Sequence, residues 1–154
     1  MESFNRKTCE LPGLESVWVE YQTRGYPRKL RREWDAAGPD EVLEIILRYI
    51  QAWNLLDLNG LALEVTEVRE NYRERITLSQ RKNDTSLPLA ERRKAAQDYE
   101  AFYDALGNVE DSLIVWLIRS FQQFWIYELT QPRKKSSPPS TIISSETAAL
   151  PQNS

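Results

Sequence analysis

Residues 109–130, VEDSLIVWLIRSFQQFWIYELT, decide the fold class. Glu110 and Asp111 stand in a first turn, where a helix favours negative charge. Asn108 precedes them as a cap, and Pro132 lies just past the end. The stretch predicts one helix from Val109 to about Thr130. Leu113, Ile114, Val115, Trp116, Leu117, Ile118, Phe121, Phe124, Trp125, Ile126 and Leu129 would nearly surround it, and a single face cannot hold them all. Such a helix is either the centre of a helical bundle or carries a second face buried against another molecule, for which large aromatic residues are suitable anchors. It is not a membrane span, because Arg119, Ser120, Gln122, Gln123 and Glu128 interrupt the apolar run and its length falls short of about 20 residues.

Working back toward the N-terminus, a helix is expected to begin near Pro88, to place Ala95, Tyr99, Phe102, Tyr103 and Leu106 on one face, and to close at Gly107. Before it, Thr66 caps a helix with Val68, Tyr72 and Ile76 on one side, and Asn83-Asp84-Thr85-Ser86 breaks it. Gly38-Pro39-Asp40-Glu41 starts a further helix that should run to about Leu56. Leu43, Ile46, Leu47, Ile50 and Trp53 form its apolar stripe, and Asp57-Leu58-Asn59-Gly60 terminates it. Residues 1–16 show no period, whereas Val17 to Thr23 alternates as a half-buried strand with Val17, Val19 and Tyr21 on one face. That strand is an extended arm, half of a ribbon with the N-terminus, or a strand completed by another chain. The expected architecture is therefore mainly α: a small bundle of about four helices over residues 1–130, with a short extended segment at 17–23. Residues 131–154 are rich in Pro, Ser and Thr, and are expected to form a disordered tail.

Composition narrows the chemistry. The 154 residues include no histidine and one cysteine, Cys9, which removes the commonest general base and metal ligand and any internal disulfide. The five glycines stand singly, without a phosphate loop. Carboxylate pairs such as Glu64 with Glu67 or Glu70 with Glu74 read as solvated helix faces, and Asp57-Leu58-Asn59-Gly60 reads as a turn, lacking the remaining ligands of a calcium loop. No catalytic residues, metal or cofactor are expected. The net charge of −3 argues against nucleic acid as the main partner, although Arg24, Arg28, Lys29, Arg31 and Arg32 make one dense basic patch. That patch is a nucleic-acid contact, a dock for an acidic partner, or a solvated helix whose Leu30 and Trp34 face the core.

Tyr26-Pro27-Arg28-Lys29-Leu30-Arg31-Arg32-Glu33-Trp34, Val42 to Ile50 and Trp53-Asn54-Leu55-Leu56-Asp57-Leu58-Asn59-Gly60 resemble the phage tail assembly chaperones, small proteins of the tail-gene clusters of long-tailed bacteriophages and prophages. Pro132-Arg133-Lys134-Lys135-Ser136 is similar to the family's basic ending, while the charged segment from Glu67 to Lys82 departs from its pattern. The resemblance implies a non-enzymatic chaperone that binds the tape measure protein and keeps it soluble during tail assembly. It further implies the tail tube protein as a second partner, the host bacterial cytoplasm as location, and absence from the mature virion. Trp53, Trp116, Phe121, Phe124 and Trp125 are the expected protein-binding residues, with self-association left open. The rival readings are a virion structural or head-tail connector protein and a nucleic-acid-associated regulator using residues 24–32.

Overall fold

The computed structural model describes residues 4–129. The chain divides into two units, residues 1–124 and 125–154, and the expected tail at 131–154 lies outside the described residues. About half of the described residues are helical, so the mainly α expectation stands. What it lacked is a three-stranded antiparallel sheet.

The alternation at 17–23 becomes strand β2, Trp18–Tyr21, and it is the central strand. On one side it pairs with β1, Arg6–Thr8, with Lys7 opposite Val19. On the other it pairs with β3, Ile50–Trp53, with Val19 opposite Trp53 and an irregularity between Glu20 and Tyr21. Of the three expected fates, the N-terminal ribbon is realised and then extended by a strand from within the chain. No second molecule is needed to satisfy β2.

Two short-range signals position the first helices. Pro27 and the residues after it lead into α1, Leu30–Asp35, whose Leu30 is fully buried. The next helix, α2, spans Pro39–Arg48, and the Glu41 carboxylate reaches back to the Gly38 N–H at 2.7 Å. Here the expected helix to Leu56 is corrected: it stops at Arg48, and Ile50–Trp53 is the strand β3. Tyr49, Ile50 and Trp53 are good strand formers, and the Tyr49 carbonyl already accepts the Gln22 N–H at 2.7 Å. Arg69 takes the carbonyls of Leu47 and Ile50 at 2.8 and 2.7 Å, which satisfies groups that continued helix would have used.

Helix α3 spans Val65–Lys82, and Val68, Tyr72 and Arg75 are its buried residues. Its N-cap is Glu64 rather than Thr66, and Asn83 caps the C-terminus, followed by the Asp84–Ser86 turn. Helix α4 spans Leu89–Ala101 and ends six residues before the expected Gly107. Phe102 is already extended, the Asn71 side chain bonds the Tyr103 carbonyl and the Ala105 N–H, and Tyr103 is exposed. Helix α5 spans Asp111–Gln122, two residues later than the expected start. It does not continue as a regular helix to Thr130: the backbone widens into a π-helical turn over Gln123–Glu128. Such turns absorb a helical irregularity, and this one contains the adjacent buried residues Phe124 and Trp125.

The core of the first unit lies where α2 and α5 meet the sheet. Tyr21, from β2, stacks on Phe124 at 5.5 Å and meets Phe121 edge-on at 5.4 Å. Its hydroxyl shares a hydrogen bond with Ser120 Oγ at 3.0 Å. Tyr26 stacks on Tyr49 at 4.3 Å, and Trp34 and Tyr49 both face Phe121. Burial pushes the hydroxyls of Tyr21 and Tyr26 well above the usual phenol range, so both are neutral hydrogen-bonding groups at ordinary pH.

Candidate functional site

Residues 53–63, which include the Trp-Asn-Leu-Leu-Asp-Leu-Asn-Gly motif, form a hairpin between β3 and α3. The Leu63 N–H donates to the Leu55 carbonyl at 3.1 Å, Leu56 bridges Ala62, and the Asp57 N–H donates to the Leu61 carbonyl at 2.9 Å. At the tip, Asp57 Oδ1 accepts the N–H groups of Asn59 and Leu61 at 2.9 and 3.0 Å, an Asx turn that explains the aspartate. Gly60 sits at φ +80°, a conformation costly for any side chain. The motif was expected to end a helix, but it instead reverses the chain.

Two further bonds fix the hairpin in place. Trp53 donates its indole N–H to the Leu63 carbonyl at 2.7 Å, and the Leu58 N–H donates to the Asn108 carbonyl at 2.8 Å, just before α5. Leu55 points inward and is buried. Leu56, Leu58 and Leu61 point outward, at 49%, 63% and 63% exposure. Three exposed leucines on a turn built by polar residues run against the usual turn composition. Beside the hairpin base lies an apolar notch with about 10 Å³ of free space, lined by Trp18, Trp53, Leu55, Leu113 and Trp116 among others.

The expected binding residues separate. Trp53 and Trp116 are half-buried and line that notch. Phe121 and Phe124 are completely buried in the aromatic core, and Trp125 is buried in the π-helical turn, so none of the three offers a surface in this conformation. Leu56, Leu58 and Leu61, exposed on the hairpin, were not among the expected binding residues. Their signal was available as apolar residues flanking an Asp-x-Asn-Gly turn, where solvent exposure is the rule.

Arg24, Arg28, Lys29, Arg31 and Arg32 are all exposed, and among the described residues none of them forms an ion pair. Leu30 and Trp34 face inward, with Trp34 5.6 Å from Phe121, so α1 presents charge without an apolar stripe. Two other polar clusters have structural partners. Arg48 bridges Glu33 and Glu44 beside a cavity of about 250 Å³. Arg75 bonds Asp40 at 2.9 Å, and Asp40 also accepts the Tyr99 hydroxyl. Among the described residues, no group of three or more His, Cys, Asp or Glu side chains could hold a metal ion, and no helix is long and apolar enough to cross a membrane. Comparison with known proteins adds no relative: no protein-family model, no curated protein and no solved structure matches the chain.

Proposed function

We propose that the chain is a phage tail assembly chaperone, a stoichiometric binding protein that holds the tape measure protein soluble in the host cytoplasm while the tail is built. The tail tube protein is its second partner, and the chaperone leaves before the virion is complete. One observation carries this reading: one of the segments that carry the resemblance forms a hydrogen-bonded hairpin that holds Leu56, Leu58 and Leu61 out in solvent. Exposed leucines on a fixed backbone suit a client with an amphipathic helical surface, because little ordering entropy is lost on binding.

The test is co-expression with the large helical protein encoded in the same tail-gene cluster, followed by affinity capture and size exclusion. Co-elution with rescue of the client's solubility supports the chaperone reading. An insoluble client, with this protein eluting alone, ends it. A second reading, a nucleic-acid-associated regulator, is favoured by the exposed cations of residues 24–32. It requires binding to DNA that weakens steeply with salt, so the absence of any binding at low ionic strength removes it. A virion structural or connector protein would instead be found by mass spectrometry in purified particles.

A further inference from the structure

The segments that carry and anchor the hairpin leucines are acidic, although Arg69, just past the first of them, holds its guanidinium on the Leu47 and Ile50 carbonyls. The two segments, residues 49–68 and 104–118, contain no lysine or arginine, and they carry Asp57, Glu64, Glu67, Asp104, Glu110 and Asp111. The Leu58–Asn108 bond joins the segments, and the Leu55–Leu63 pairing brings Glu64 to the hairpin base. Asp104 is engaged inward, with Tyr72 and Arg75. The other five form no ion pair among the described residues.

Their placement has a local cause that falls short of balancing them. Glu64 and Glu67 stand at the start of α3, and Glu110 and Asp111 at the start of α5, where each helix end contributes roughly half a positive charge. Two half-charges leave most of the five carboxylates uncompensated, on segments joined to the hairpin whose leucines already face solvent. Both features ask for the same occupant, one with apolar side chains for the leucines and cations for the rim.

Resting on the chaperone reading, we infer that the client segment docked on this hairpin is a basic amphipathic helix, with leucine-like residues on one face and lysine or arginine along its flanks. The leucines supply affinity and the carboxylates supply orientation and encounter rate.

The experiment uses the full chain and two labelled synthetic helical peptides with identical leucine spacing, one with lysines on its polar face and one with glutamates. Fluorescence anisotropy is read at low and at moderate salt. The lysine peptide should bind at least about tenfold tighter at low salt, and the preference should shrink as salt rises. A Glu64→Gln/Glu67→Gln/Glu110→Gln variant, checked for unchanged circular dichroism, should lose the preference. Leu58→Ser/Leu61→Ser should weaken both peptides. Equal binding of the two peptides that is lost with the leucines overturns the basic-client inference and leaves the hairpin as a docking surface. Binding of neither peptide also overturns the inference, and co-expression with the client then decides the chaperone reading by itself. A lysine preference that survives both the triple substitution and the further changes Asp57→Asn and Asp111→Asn assigns it to carboxylates elsewhere and overturns the hairpin's role.

Discussion

The two sides of α3 and α2 are held by opposite kinds of chemistry. Helix α2 buries Leu43, Ile45, Ile46 and Leu47, and on the sheet side the rings of Tyr21, Tyr49, Phe121 and Phe124 complete an almost wholly apolar core. Toward α4, the buried groups include the guanidinium of Arg75, which bonds Asp40 at the start of α2 and lies 5.6 and 5.1 Å from the rings of Tyr72 and Tyr99. Tyr72 in turn donates to Asp104 at 2.5 Å. The first region depends on volume, and volume is forgiving of chemistry. The second depends on direction, because each member leaves another unpaired if it is lost. The Nε of Arg75, buried without a hydrogen-bond partner, marks how little slack that second region has.

The largest expected effect is in the apolar region. Phe121→Ala removes a fully buried ring that touches Tyr21, Tyr26, Trp34 and Tyr49, and should cost about 3–5 kcal/mol in chemical denaturation. A loss below about 1 kcal/mol would mean the aromatic core does not hold this unit together. Next, Arg75→Ala should cost about 3 kcal/mol, at the low end for buried ion pairs because Asp40 keeps a quarter of its side-chain exposure. The contrast sharpens with Arg75→Ala/Asp40→Asn: removing the stranded carboxylate should recover part of that loss, whereas simple additivity would put Arg75 in the same volume-driven class as Phe121.

The smallest effect is expected at Glu33, the most exposed member of the triad it forms with Arg48 and Glu44. The Arg48 hydrogen bond holds the Glu33 carboxyl below its ordinary value, so its contribution is fully present above about pH 4.3 and is lost as pH falls through the lowered folded-state value. Because Glu33 is 40% exposed, the stake is less than about 1 kcal/mol. Glu33→Gln should flatten that acid limb in a pH series of thermal melts, and an unchanged limb would place the acid sensitivity elsewhere.

The same contrast explains what was legible in the sequence. Apolar periodicity and caps were enough for the Pro39 helix start, for the breaks around Asn83, and for Val68, Tyr72 and Ala95 as inward positions. Periodicity misled at Ile50 and Trp53, which continue the three-and-four spacing of α2 although they belong to a strand. Only pairing with β2, about thirty residues away, decides between the two. Strand β1 was invisible, since Arg6-Lys7-Thr8 has no apolar alternation. Of the candidate surface, Trp53 and Trp116 were readable as large aromatics. Phe121, Phe124 and Trp125 were readable as apolar, but nothing local says whether an apolar residue faces a core or a partner. The hairpin leucines had a local signal, apolar residues around an Asp-x-Asn-Gly turn whose Asx bonds are short-range, and only the Leu58–Asn108 bond that anchors them depends on tertiary placement.

The outer strands of the sheet carry a consequence for self-association. Strand β1 is three residues long and bears Arg6 and Lys7, while β3 has the Arg69 guanidinium on the Ile50 carbonyl. Short, charged or occupied edges make poor templates for adding a strand from another molecule. For the chaperone role proposed above, a backbone that resists recruitment into a growing β-stack is an advantage, and contact by side chains from a turn would keep capture and release independent of sheet extension.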